Sequence, residues 1–117
     1  TLDDIKLALA TIQAQLGQLE SRRYVKEAGK SSDGMGWYRK WSDGWIEQGG
    51  TYTASSPNDK YHIMLIKEMT TTNYHPTVTC GFKSASSNGY GYCYDKTISG
   101  FKAVVTDPSG TWYVCGY

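Results

Sequence analysis

The chain carries almost no net charge. Twelve basic and 11 acidic side chains in 117 residues leave a formal charge of +1. Such a chain generates no field to draw in nucleic acid or an anionic membrane, so neither is an expected partner. No apolar run approaches the ~18 residues of a membrane span, and no secretory signal pattern is present. Cysteine is scarce and badly spaced for metal or redox work: Cys80, Cys93 and Cys115 are odd in number and form no C-x-x-C pair. They are expected as reduced, buried thiols acting as small hydrophobes in a protein folded in a reducing compartment. One disulfide, or a site shared between subunits, is the alternative. Histidine is limited to His62 and His75.

Tyrosine and glycine are plentiful instead. Ten tyrosines, four tryptophans and 13 glycines point to strands joined by tight turns. The length suits one domain with a modest core. Thr rather than Met at position 1 leads to the expectation of a fragment or a processed chain.

Residues 37–50 are the most informative stretch, with three of the four tryptophans around an Asp43-Gly44 pair. Asp-Gly between aromatic and β-branched residues predicts a hairpin with a two-residue type I′ turn. That turn sets Trp41 opposite Ile46, Lys40 opposite Glu47 and Arg39 opposite Gln48. Alternation then places Trp37, Trp41 and Ile46 on one face, and Tyr38 and Trp45 on the other. Large aromatics on both faces need cover on both sides, some of it from another copy of the chain.

The first 22 residues follow a different period. Leu2, Ile5, Leu9, Ile12, Leu16 and Leu19 are spaced 3-4-3-4-3, an unbroken heptad stripe. Thr1 and Asp4 form a capping signal at its start. With Leu2, Leu9 and Leu16 at a, and Ile5, Ile12 and Leu19 at d, the pattern disfavours a two-stranded coil and favours three or four strands. The stripe is too narrow for a helix docked on its own domain, and Leu7 alone lies off it. It is too short to be stable alone, so it reads as the end of a longer stalk. Arg22-Arg23 stops it.

From Tyr24 the period is two. Strands are expected over residues 24–28, 61–66, 77–83, 90–96, 101–106 and 111–117, besides the hairpin. Residues 61–66 form the most apolar run and read as a central strand buried on both faces. Turn chemistry marks residues 31–34, 55–59 and 107–110, and residues 70–76 form a loop. The fold class is mainly β: a short N-terminal trimeric coiled-coil helix (residues 1–22), then an antiparallel β-sandwich-like head (residues 23–117).

Residues 37–50, the Gly100-Phe101 pair and the closing Trp112-Tyr-Val-Cys-Gly-Tyr117 resemble, in order and spacing, a family of bacteriophage tail-fibre and receptor-binding C-terminal tip domains. The resemblance spans residues 24–117. It implies a homotrimeric fibre on the virion, folded in the bacterial host cytoplasm, whose distal domain contacts the bacterial surface. Some fibre tips hold iron through repeated His-x-His motifs. This chain has no such spacing, so neither a metal nor another cofactor is expected.

An enzyme would need a constellation that the residues do not spell out. Asp33, Asp43 and Asp107 sit in turn motifs and Asp59 in a turn-like loop, where carboxylates satisfy backbone amides. Glu47, Glu68 and Asp95 remain for any paired-carboxylate chemistry. There is no Gly-x-Ser-x-Gly elbow. His62 reads as a satisfied imidazole within a buried strand; His75, before Pro76, is freer. A non-enzymatic binding module fits better, with a surface glycan or an outer-membrane protein as partner. The candidate receptor contacts are Tyr74, His75, Asn88, Tyr90 and Tyr92, aromatic and polar residues in glycine-bearing loops. Trp37, Trp41, Trp45 and Trp112 are assigned to core and trimer packing. A polysaccharide-cleaving tip, or a domain that only drives trimerisation, are the alternatives.

Overall fold

The computed structural model describes residues 1–53, 60–80, 90–106 and 109–117. Among these residues one helix precedes eight strands: α1 (Leu2–Ser21), β1 (Val25–Lys30), β2 (Gly36–Trp41), β3 (Ile46–Thr53), β4 (Lys60–Met64), β5 (His75–Cys80), β6 (Gly91–Thr97), β7 (Gly100–Val105) and β8 (Ser109–Gly116). All pairings are antiparallel. They build a five-stranded sheet in the order β1-β2-β3-β8-β5 and a three-stranded sheet in the order β4-β7-β6.

Helix α1 starts where Thr1 and Asp4 cap each other, and it ends when Arg22 turns extended. None of its residues is buried, and the six stripe residues stand between 52% and 66% exposed. The molecule is correspondingly long, 77 × 28 × 24 Å. A lone 20-residue helix with no docked face is marginal in water. Arg23, just past its end, pairs with Asp43 at 3.0 Å and lies 4.4 Å over the Trp41 ring, so the start of the head is fastened to the β2–β3 turn.

That turn differs from the two-residue I′ form. Gly44 has φ +92°, but Asp43 does not enter the left-handed region. The Trp41 N–H donates to the Trp45 carbonyl at 2.8 Å, and the Gly44 N–H to the Trp41 carbonyl at 2.9 Å. This is a three-residue loop, a type I turn followed by a bulge at the glycine. The extra residue slips the register by one: Arg39, not Lys40, faces Glu47, and Lys40 faces Ile46. A one-residue slip exchanges faces. Ile46 therefore leaves the Trp37–Trp41 side and enters the core, fully buried.

The core lies between the sheets. Ile46, Tyr52, Trp112 and Val114 come from the larger sheet, and Ile63, Phe101, Ala103 and Val105 from the smaller. Phe101 and Trp112 meet edge-on, with ring centroids 6.4 Å apart. Gly49 and Gly50 let indoles lie against β3 from opposite sides. A Cβ at Gly49 would come within 3.4 Å of Trp37, and one at Gly50 within 3.0 Å of Trp112.

Residues 61–66 are not a central strand. Among the described residues β4 is an edge strand that pairs with β7 alone, and Met64 is 61% exposed. His62 is exposed as well, because it points away from the core that Ile63 enters. The chain leaves β4 before Leu65 and is then held by Gln48. This side chain is fully buried; its Oε1 accepts from the N–H groups of Ile66 (2.8 Å) and Lys67 (3.0 Å), and its Nε2 donates to the Lys67 carbonyl at 2.7 Å.

Lys67 continues the chain of contacts to the edge strand β1. Its Nζ donates to Glu27 Oε1 at 3.0 Å, and the Tyr38 hydroxyl donates to the same oxygen at 2.9 Å. These hydrogen bonds, that of Lys67 foremost, hold the Glu27 carboxyl below its ordinary value of 4.5. A depressed carboxylate contributes stability that is present above the ordinary value and lost as pH falls through the folded one. Glu27→Gln is accordingly expected to lower Tm at pH 7 and to flatten the fall of Tm between about pH 5 and pH 3. Parallel melting curves for the two proteins across that window would refute the linkage.

Candidate functional site

The two sheets expose neighbouring edges at β5 and β6. A groove of about 430 Å³ runs between them, lined by residues 76–78 on one side and residues 91–96 on the other. It draws together the chain ends of the two segments singled out by sequence, around His75 and around Tyr90–Tyr92. The edges approach closely because β6 opens on Gly91, where a Cβ would stand 2.9 Å from the Val78 side chain.

Tyr92 lines this groove and is 55% exposed. Tyr94, two residues on, lies on the same face of β6, with the ring centroids 6.2 Å apart. Its hydroxyl is buried with no hydrogen-bond partner among the described residues. Asp95 follows at φ +49°, and the pairing of β6 with β7 shifts register there. A bulge of this kind re-aims side chains at the rim of a sheet. Lys102 pairs with Asp95 at 3.5 Å, and Lys96 donates to the Tyr74 carbonyl at 3.0 Å. Cys93, also in the lining, has its thiol pushed up by burial, which keeps it protonated and a poor nucleophile at neutral pH.

The five sequence candidates separate. Tyr92 is in the groove, and Tyr90, 60% exposed, stands just before β6. His75 is exposed, but it opens β5 instead of lying in a loop, and it does not line the groove. Asn88 lies outside the described residues. Tyr74 is withdrawn as a receptor contact because its side chain is fully buried. Its hydroxyl donates between the carbonyls of Thr97 (2.6 Å) and Gly100 (2.7 Å), and burial pushes the phenol up. Tyr74 thus ties the β6–β7 turn to the start of β5 and positions the groove instead of lining it. Tyr94 was missed, and Asp95 was noted only as a leftover carboxylate, without its pairing to Lys102. Tyr94 repeats the i, i+2 spacing of Tyr92 and was findable; nothing in the sequence marks the positive φ of Asp95.

The three cysteines are not joined in disulfides, each is half-buried, and the Cys80 thiol donates to the Tyr90 carbonyl at 3.1 Å. Of the tryptophans, Trp112 belongs to the core. Trp45 packs edge-on against Tyr117, with ring centroids 5.2 Å apart. Trp37 and Trp41 are half-buried on the face of the five-stranded sheet that turns away from the core. Glu47, one of the carboxylates left over in the sequence, is engaged at both oxygens by Trp41 Nε1 and Arg39, each at 2.8 Å.

Taken together, the fold is a mainly β, two-sheet head behind a single N-terminal helix, a tail-fibre-like architecture. It is similar to an N-truncated R2-type pyocin tail fibre solved at 2.6 Å resolution, with a TM-score of 0.59 and 16% identity. The likeness covers 80% of this chain and 39% of that one, so the chain spans about two-fifths of that fibre's length. At this identity the likeness concerns the fold. No family model matches the chain, and no curated protein does.

Proposed function

We propose that the chain is the distal tip of a phage tail fibre that attaches, as a homotrimer, to a receptor on the bacterial surface. The observation that carries this reading is α1: a heptad stripe of leucine and isoleucine, wholly exposed within one chain, leading straight into a compact β head. The tail-fibre-like fold supports it. On this reading residues 1–22 end a three-stranded stalk and residues 23–117 form the receptor-binding head. The tip binds without catalysis, and its place is the virion. Three modest sites on one fibre then gain strength through effective concentration. The groove between β5 and β6 is the receptor site, with Tyr90 and Tyr92 as contacts and a glycan or an outer-membrane protein as occupant.

The test is competition. Purified chain is expected to bind susceptible cells and to block phage adsorption, and Tyr92→Ala is expected to weaken that binding about tenfold, the effect of truncating a central aromatic contact. Absence of cell binding would leave only a trimerisation domain. Release of oligosaccharide from host polysaccharide would instead make the tip a hydrolase.

A further inference from the structure

The outward face of the five-stranded sheet carries Trp37, Trp41 and Tyr113; Trp37 and Trp41 are half-buried, the latter under Arg23, and Tyr113 is exposed. Trp37 and Tyr113 lie 6.2 Å apart with their rings tilted by 44°, and Tyr113 is 39% exposed. The Arg39 guanidinium sits 5.3 Å from the Trp37 ring and 5.9 Å from the Trp41 ring. Glu47 holds both Arg39 and the Trp41 indole, so the platform is oriented before anything binds. Preorganised aromatic surface binds at small entropic cost.

Beside Trp37 runs an open groove of about 480 Å³, lined by Ala28, Lys30, Trp37 and Arg39 among others. Lys30 stands opposite Trp37 across the β1–β2 pair and is exposed. It makes no ion pair among the described residues. The Trp37 Nε1–H likewise donates to no group among them. Residues 22–53 hold six basic and four acidic side chains. Three of those acids are already committed, Glu27 to Lys67, Asp43 to Arg23 and Glu47 to Arg39. The local surplus is positive. A flat ring at the edge of an open groove suits the apolar face of a pyranose, whereas a protein side chain as anchor needs a closed pocket that excludes water. The free ammonium and indole N–H then match the polar rim of a sugar bearing a carboxylate.

We propose that this face is a second saccharide-binding surface, which takes an acidic sugar residue with its ring on Trp37 and its carboxylate against Lys30. This rests on the reading of the chain as a surface-binding tip, but it concerns a different face from the β5/β6 groove.

The test uses the full chain, with oligogalacturonate and oligosialate as probes, each also as its neutral methyl ester, and affinity read by calorimetry. The acidic form of at least one probe is expected to bind about two- to fivefold more tightly than its ester, the range of an exposed ion pair. Lys30→Gln is expected to bring the acid down to the ester and to leave the ester unchanged. Trp37→Ala is expected to weaken both about tenfold or more. Trp37→Phe, which keeps a ring, retains most of the affinity and guards against a folding defect. No binding of either probe, or equal affinity for acid and ester, overturns the proposal. So does a Trp37 emission component, isolated by difference against Trp37→Phe, that iodide cannot quench in the assembled protein, since the ring is then buried between copies. If wild type binds cells and Trp37→Ala does so equally, only this proposal fails. If wild type binds no cells, the underlying reading fails.

Discussion

A chain carrying Leu9→Asp is expected to sediment as a monomer of 13.0 kDa, and the unaltered chain is expected to sediment at three times that mass. Leu9 is the middle a residue of the stripe and is 55% exposed within one chain. In a three-stranded coil its side chain meets two copies of itself in the seam. Aspartate there sets three carboxylates together in a low-dielectric contact with no cation on the stripe to pair them. Burying even one unpaired carboxylate costs several kcal/mol, more than a short helical seam supplies. Ile12→Asp, at the neighbouring d position, is expected to do the same. Leu7→Asp is the control, because Leu7 lies off the stripe and its substitution leaves the mass unchanged. The head should be indifferent to all three, since α1 contributes no buried side chain, and near-ultraviolet circular dichroism of the tryptophans would show it intact. An unaltered chain of monomer or dimer mass would sink the trimeric reading.

How much of this was legible in the sequence follows from how local each signal is. The capping box of Thr1 and Asp4 and the heptad stripe involve residues within one turn or two, and α1 forms where they place it. Each of the eight strands among the described residues overlaps a stretch marked by alternation, because that signal acts over two to four residues. But β5 begins at His75 inside an expected loop, and β8 at Ser109 inside an expected turn. The expected turn at 55–59 and residues 81–83 and 107–108 lie outside the described residues. The β2–β3 hairpin was legible as a hairpin but not in register. The two-residue and three-residue loops differ in the backbone conformation of Ser42 and Asp43, and Arg23 and the Trp45 N–H both hold Asp43 through its side chain. The apolar run of residues 61–66 was misread because hydrophobicity cannot tell a strand buried on two faces from an edge strand followed by a buried loop. Ile66 is apolar because it packs against the core from that loop, not because β4 continues through it. Tyr74 shows the converse failure. A single tyrosine among Thr72, Asn73 and His75 looks like a recognition loop, yet it is the anchor that lets a polar segment leave its other side chains outside. The groove itself was invisible, since β5 and β6 are neighbours only through the packing of two sheets.

Gln48→Leu is expected to cost about 2–4 kcal/mol of folding stability with little change in side-chain volume. Gln48 is the buried polar side chain in the core among the described residues, and sequence reasoning placed it merely opposite Arg39. Leucine fills the space but leaves the Ile66 and Lys67 N–H groups and the Lys67 carbonyl without partners, all of them served by the one amide. Each buried backbone group left unsatisfied costs about 1–3 kcal/mol, and partial access of water to the loop keeps the sum below the full total. Urea denaturation checks this: the midpoint should fall while the slope stays constant, since the same surface is exposed on unfolding. The damage should also spread. Gln48 holds the backbone of the same residue whose Nζ reaches Glu27. The variant is therefore expected to lose the acid sensitivity that Glu27 confers and to gain little further loss from Glu27→Gln. A double-mutant cycle in which the two losses simply add would show that the β1 edge is held independently of the loop, and that Gln48 is a local tether instead of the joint between the sheets.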